Sequence, residues 1–279
     1  MNGYGDPAPE RVAETGSTND DLLARVRDAA AEGASEFAPC LLVADRQRAG
    51  RGRHGRRWHA TAGASLTFSI AWPSRRSDLS GLSLAVGCAV ADALDVAGQA
   101  LTIGLKWPND LWLVEASGVA AGEPARPPQL PALRYEGRKL AGILVETAPF
   151  AAGRGAVIGV GINIRALDVA DAASGVGCLA EIDSEATPEA TLARVAPALF
   201  AALRSFDAAG FAPFAERFAA RDVLRGRRVA GVGAGGDLEG VAAGVAGDGS
   251  LRIDTASGAI TVASGEWRLA RVEPAGSPC

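Results

Sequence analysis

The 279-residue sequence contains few of the side chains that usually bind structural metals or form disulfides. The four cysteines are Cys40, Cys88, Cys178 and Cys279. They are widely separated and form no CxxC pair, so neither a zinc knuckle nor a disulfide framework is expected. The only two histidines, His54 and His59, argue against a histidine-based metal site. Any metal is expected to arrive with a phosphate-bearing substrate.

Long apolar runs are also missing. No stretch approaches about 18 uncharged apolar residues, and the N-terminal MNGYGDPAPERVAE has neither a basic head nor an apolar core. The hydrophobic content of 48% and charged content of 22% are typical of a soluble globular protein. We therefore expect a cytoplasmic protein with one large domain or a large domain and a small appendage.

Lysine and asparagine are both scarce in this chain. Of 28 basic residues only Lys106 and Lys139 are lysines, and outside the N-terminal tail the asparagines are Asn19, Asn109 and Asn163. These residues lie in the segments STND, KWPND, RKLAG and GVGIN. Because arginine serves as the cation elsewhere, an ammonium at two places suggests that those places need it. The alternative is that a biased base composition of the gene made lysine and asparagine rare at random positions.

Arginine and glycine are instead concentrated in residues 45–58, DRQRAGRGRHGRRW, in a chain whose net charge is −4. Guanidinium groups offer forked donors for phosphate or carboxylate, and glycine lets the backbone approach a ligand, so the segment predicts an anion-binding loop. Gly50, Gly52 and Gly55 also satisfy GxGxxG. A dinucleotide fold needs that pattern between a strand and a helix, whereas strands are predicted on both sides here, so we reject the Rossmann interpretation.

The secondary-structure pattern places this loop within a sheet. A strand is predicted at 40–44, and the alternation of Leu66, Phe68, Ile70 and Trp72 predicts a half-buried strand after the loop. The S/T-x-x-D spacing of STND predicts a helix over about 19–31, and TPE predicts a helix from Thr187 to about residue 208. Further strands are predicted at 101–107, 111–114, 139–147 and 156–164.

Five short strands punctuated by glycine follow Arg227 and predict a small β-barrel. We therefore predict two domains. Residues 1–222 form a catalytic domain of the α+β class, a largely antiparallel mixed sheet flanked by helices, with a flexible proline-rich insertion at about 116–133. Residues 223–279 form the barrel and a tail.

Five segments in order, STND, RQRAGRGRHGRRW, KWPND, KLAGILVE and GVGIN, resemble the biotin protein ligases, which join biotin to a lysine of a carrier domain through biotinyl-5'-AMP. The resemblance runs from about Val12 to GEWRLARV, which looks like the closing strand of that family. It implies a class II synthetase-like fold with a C-terminal SH3-like barrel. It also implies ATP and Mg²⁺ as cofactors, biotin as substrate and a biotin carboxyl carrier domain as partner.

Only about 15 residues precede STND. The chain therefore resembles the ligase-only members of the family, without the N-terminal DNA-binding domain, and neither DNA nor a membrane is an expected partner. A monomer and a homodimer both remain open.

The resemblance also implies roles for individual residues. Biotin is expected to contact Ser17, Thr18, Asn19, Gln47, Arg51, Gly52, Arg53, Lys139 and Gly142. The nucleotide is expected to contact Trp58, Lys106, Asn109, Gly161 and Asn163. Catalysis is assigned to Lys139, Arg51, Arg53 and Asp110. No metal site built from protein ligands alone is expected, because Mg²⁺ would come with ATP.

Two other functions remain open. A lipoate ligase shares the fold and the adenylation chemistry, although the arginine-glycine loop and the terminal barrel favour biotin. A non-catalytic protein that binds an anionic metabolite or RNA is the alternative from another class. The chain departs from the family in its proline-rich insertion and in the lack of aromatics at 165–180, so adenine would be covered by aliphatic side chains such as Leu167 and Val169.

Overall fold

The computed structural model describes residues 5–34, 36–115, 137–150, 153–166, 175–233 and 236–270. The strands of a seven-stranded sheet are β1 (Pro9–Thr15), β2 (Cys40–Gln47), β3 (Ser65–Ser74), β4 (Leu101–Lys106), β5 (Asp110–Glu115), β6 (Arg138–Phe150) and β7 (Gly153–Asn163). Those of a five-stranded sheet are β8 (Arg228–Gly233), β9 (Gly236–Val245), β10 (Leu251–Thr255), β11 (Gly258–Val262) and β12 (Trp267–Leu269). The α-helices are α1 (Thr18–Ala31), α2 (Leu82–Leu94), α3 (Pro188–Ala209) and α4 (Ala215–Arg221).

The strand order confirms the predicted α+β class. The large sheet runs β1-β2-β3-β7-β6-β5-β4, and every neighbouring pair is antiparallel except β1 and β2. The second sheet, in the order β11-β10-β9-β8-β12, is antiparallel throughout. The arginine-rich loop joins β2 to its antiparallel neighbour β3, as predicted.

Strand β3 is buried along its whole length, so the prediction of a half-buried strand was wrong. Its apolar positions, such as Phe68 and Trp72, join the main core with α2 and α3. The alternate positions Ser65, Thr67 and Ser69 are also buried, although they are polar. The alternation therefore distinguishes two buried faces of the strand, one apolar and one polar, and neither of them faces solvent.

The helix starts follow their sequence signals. Ser17 caps α1 by accepting a hydrogen bond from the Asp20 backbone N–H at 3.4 Å. Thr187 caps α3 by accepting one from the Ala190 N–H at 3.2 Å, with Pro188 at the first helical position. Helix α3 continues past the internal Pro197 to Ala209.

Strand β1, which pairs in parallel with β2 at the edge of the sheet, was not predicted from the sequence. Most of its residues are exposed, so it carries no alternating hydrophobic signal. The predicted insertion at 116–133, together with Leu167 and Val169, lies outside the described residues.

The second sheet packs on the first through a shared core. Trp267 and Ile253 belong to the same buried cluster as Leu105, and the Trp107 indole N–H donates to the Gly249 carbonyl at 2.9 Å. The predicted domain boundary after residue 222 stays a prediction. No helix in the described ranges has the length and apolar character needed to cross a membrane.

Candidate active site

A cleft of about 170 Å³ lies on the buried polar face of the large sheet. Its walls come from the start of α1, the β2–β3 loop, the turn between β4 and β5, strands β6 and β7, and the segment before β12. All the site residues predicted from the sequence line this cleft except Asn163. Segments that are far apart in the sequence thus meet at one place.

Asn163 lies behind the cleft. Its side-chain amide donates to the carbonyls of Lys139 at 3.2 Å and Gly177 at 3.1 Å, and the residue is 5% exposed. In this arrangement it holds the backbone that carries Lys139, and its direct contact with the nucleotide stays a prediction.

The residues predicted to bind the ureido end of biotin form a buried network at the start of α1. The Thr18 backbone N–H donates to Gln47 Oε1 at 2.8 Å, and the Thr18 and Ser69 hydroxyls lie 2.7 Å apart. Ser69 Oγ donates to Asn19 Oδ1 at 2.6 Å. Ser69 was not among the predicted site residues, because the alternate polar positions of β3 were expected to face solvent.

Two glycines on the cleft floor make room for the protein's own side chains. A Cβ at Gly159 would lie 2.3 Å from Asn19 Oδ1, and one at Gly161 would lie 2.3 Å from Trp58 Cε2. The Trp58 ring therefore rests directly on β7. Its indole nitrogen is buried without a hydrogen-bond partner within the described part of the chain.

The arginines of the β2–β3 loop are held by partners from other elements. Arg51 donates to Asp20 and to both carboxylate oxygens of Glu146 at 3.2 Å. Arg53 donates to Asn109 Oδ1 at 3.4 Å and to the Gly265 carbonyl at 3.3 Å. Burial lowers the pKa of the Arg53 guanidinium, an effect that the nearby carboxylates partly oppose.

The segment before β12 also reaches the loop through an ion pair. Arg56 Nη2 donates to Glu266 Oε2 at 2.8 Å, and Glu266 lines the cleft. Glu146 and Glu266 were not assigned roles from the sequence, although both lie within motifs, GILVE and GEW, that supported the resemblance.

Both lysines of the chain lie in the cleft, on either side of Asp110. Lys139 Nζ is 2.7 Å from Asp110 Oδ1, and that oxygen makes no hydrogen bond of good geometry, so the contact is an ion pair. Lys139 also lies 5.7 Å above the Trp58 ring. Burial lowers the pKa of Lys106, and the Asp110 carboxylate opposes that shift. The scarce lysines are thus concentrated where an anion would bind.

The cleft therefore combines a buried hydrogen-bonding network with a cluster of cations. Such an arrangement suits an elongated ligand with a polar head and an anionic tail. Within the described ranges, no group of three or more His, Cys, Asp or Glu side chains is placed to hold a metal ion.

Comparisons with known proteins agree with this geometry. Residues 34–163 match the model of the biotin/lipoate A/B protein ligase family. A biotin–[acetyl-CoA-carboxylase] ligase of Mycobacterium tuberculosis is 40% identical over 166 residues, which cover 55% of this chain and 48% of that protein. The chain thus matches about half the length of that relative. A ligase of the same name from Paracoccus denitrificans is 31% identical over 221 residues, 75% of this chain and 82% of that protein.

The fold is similar to a solved structure described as biotin protein ligase from Aquifex aeolicus in complex with biotin and ATP. The TM-score is 0.69 at 26% sequence identity, and the similarity covers 95% of this chain and 99% of that one.

Proposed function

The chain belongs to the biotin/lipoate A/B protein ligase family, and we propose that it is a biotin protein ligase. In this proposal it uses ATP to convert biotin to biotinyl-5'-AMP and then transfers biotin to a specific lysine of a biotin carboxyl carrier domain in the cytoplasm. The observation that carries the proposal is the single cleft that unites the network around Thr18 with Arg51, Arg53, Lys106 and Lys139.

The first half-reaction joins two anions. The biotin carboxylate must attack the α-phosphorus of ATP, so cations are needed to offset the repulsion between them. Lys139 and Lys106 on either side of Asp110, with Arg53 within reach of Asn109, provide this charge. Donors placed in advance of the reaction are most effective when they stabilise charge that develops in the transition state. Mg²⁺ would enter with the ATP phosphates, which supply the oxygen ligands that it prefers.

The second half-reaction needs an uncharged acceptor lysine. Its amine attacks the acyl carbon of biotinyl-5'-AMP, AMP leaves, and the amine loses a proton. We assign Asp110 the role of holding the incoming amine, because it is the carboxylate that already binds an ammonium in the cleft, at 2.7 Å. Lys139 would then polarise the acyl and phosphate oxygens in both steps.

The test uses the purified chain with Mg²⁺, ATP and either biotin or lipoate. Pyrophosphate release reports the first step, and label transfer to a carrier domain reports the second. Biotin-dependent release followed by transfer is expected, with a reaction lacking both acids as the blank. Release with lipoate alone would identify a lipoate ligase, and no release with either acid would refute the proposal in favour of a non-catalytic binding protein.

A further inference from the structure

The short turn between β4 and β5 has a cleft residue at each end. Lys106 is the last residue of β4 and pairs with Asp110, the first residue of β5. Only Trp107, Pro108 and Asn109 lie between them. A shift of this turn would therefore move Lys106 and Asp110 together.

Asn109 holds one side of the turn against β6. Its backbone carbonyl accepts from the Ile143 N–H at 2.9 Å, and its side-chain amide donates to the Ile143 carbonyl at 2.8 Å. Strand β6 also carries Lys139. These two bonds therefore fix the turn relative to the strand that supplies the other cleft lysine.

Trp107 holds the other side of the turn against the second sheet. The residue is 1% exposed, and its indole N–H donates to the Gly249 carbonyl at 2.9 Å. Gly249 lies in the turn between β9 and β10, 142 positions further along the chain. Because a buried indole N–H needs an acceptor, this bond ties the β4–β5 turn to the second sheet.

The β9–β10 turn is held in place from two directions. The Asp248 carboxylate accepts from the Ser250 backbone N–H and from the Ser250 hydroxyl, each at 2.9 Å. The turn also touches the residue before α2, since a Cβ at Gly249 would lie 2.8 Å from the Gly81 Cα. The Gly249 carbonyl is therefore an acceptor in a fixed position.

We propose that Trp107 is a positioning residue through which the second sheet sets the places of Lys106 and Asp110 in the cleft. The inference rests on the proposed function, in which Lys106 offsets charge during adenylation and Asp110 holds the acceptor amine. Trp107 is not among the described residues that line the cleft, so it acts through the turn and not on the ligand.

The test uses Trp107→Phe in the full chain, which keeps an aromatic ring in the core and removes the indole donor. Two rates are measured at saturating biotin and ATP, pyrophosphate release and transfer of biotin to a carrier domain. Both are expected to fall about tenfold, because small displacements of catalytic groups are costly. The affinity for biotin without ATP, measured by titration calorimetry, should be unchanged, since the network around Thr18 belongs to other elements.

Trp72→Phe is the matched control. Trp72 is 4% exposed, and its indole N–H donates to Asp207 Oδ2 at 2.8 Å, so the change also removes a buried indole bond. Asp207 lies on α3, which packs on the apolar face of β3. This variant is expected to lose stability in urea and to keep both rates.

Two changes at Asp248 test the same bond from the second sheet. Asp248→Ala removes both bonds to Ser250 and leaves Trp107 intact, so both rates are expected to fall. Asp248→Asn keeps an acceptor for the Ser250 N–H and should restore them. Because Asp248 is exposed, these two variants decide the question even where Trp107→Phe does not fold.

Each outcome has a separate meaning. Unchanged rates in Trp107→Phe or in Asp248→Ala would overturn the inference, and so would an equal loss in Trp72→Phe, which would assign the effect to general destabilisation. Failure of Asp248→Asn to restore the rates would assign the effect to the lost charge and would also overturn it. A wild type without biotin-dependent pyrophosphate release would refute the proposed function itself, whereas an active wild type with unaffected variants refutes the inference alone.

Discussion

Arg53 connects the β2–β3 loop to two other parts of the molecule, and its loss should open the cleft. Its guanidinium bonds to Asn109 and Gly265 measure 3.4 and 3.3 Å, which is long for this type of bond. We therefore assign about 1 kcal/mol to each bond and about 2 kcal/mol to the two together, below the usual range of about 1.5 to 3 kcal/mol for a hydrogen bond to a charged group. At about 1.4 kcal/mol per factor of ten, Arg53→Gly should favour the open loop by about 30-fold.

An open loop would release activated biotin before transfer. The assay is labelling of a lysine-rich bystander protein in the presence of biotin and ATP, normalised to pyrophosphate release. A bystander is required because the only lysines of the chain, Lys106 and Lys139, both lie within the cleft. Stray labelling by Arg53→Gly is expected to rise by about the same 30-fold as the loop opening.

Arg57→Gly is the matched control. Arg57 lies in the same loop, but within the described ranges its side chain donates only to the Arg48 carbonyl, at 3.2 Å, so the change adds the flexibility of glycine without removing a bond to another element described there. Equal labelling by the two variants would assign the effect to glycine flexibility. Slower adenylation by Arg53→Gly without more stray labelling would refute the role of the loop as a gate.

Three other changes test different parts of the structure. Gly161→Ala places a Cβ 2.3 Å from Trp58 Cε2, so Trp58 must move. The KM for ATP in the pyrophosphate assay should therefore rise about tenfold. An unchanged KM would contradict the prediction that Trp58 forms a wall of the nucleotide site. Lys139→Gln removes the ammonium 2.7 Å from Asp110 and should slow adenylation by about 10²-fold, whereas an unchanged burst of pyrophosphate would exclude Lys139 from that step. Burial raises the pKa of Asp222 from 3.8 to about 6, so the folded chain keeps a proton that the unfolded chain loses. The free energy of unfolding in urea should therefore fall by about 2 kcal/mol as the pH rises from about 4 to about 6, and this fall should disappear in Asp222→Asn.

The sequence predicted well the features that depend on neighbours along the chain. The cap of α1 at Ser17 and the proline start of α3 are local hydrogen-bonding and dihedral preferences, so a few residues suffice to predict them. The strands on both sides of the arginine loop follow from their apolar content. The edge strand β1 was not predicted, because backbone pairing with β2 holds it in place rather than burial of its side chains.

The polar face of β3 shows where reasoning from pattern alone fails. Alternation predicted that Thr67 and Ser69 would face solvent, yet both are buried. The register of the sheet aligns Ser69 with Gly159 and Leu144, and helix α1 covers that row through Asn19, which donates to the Leu144 carbonyl at 3.4 Å. The two-residue alternation of side chains identifies the two faces of a strand, but only the packing of helix α1 decides whether the polar face is exposed to solvent.

The sequence by itself determined the local elements, the scarcity of lysine outside two motifs and the set of segments that resemble one family. The tertiary structure alone decided that Lys106 and Lys139 share Asp110, that Asn163 supports the cleft from behind, and that Glu146 and Glu266 bind the arginine loop. The physical reason is distance along the chain. These contacts join residues up to 210 positions apart, and their geometry depends on strand register and sheet packing, which no local pattern records.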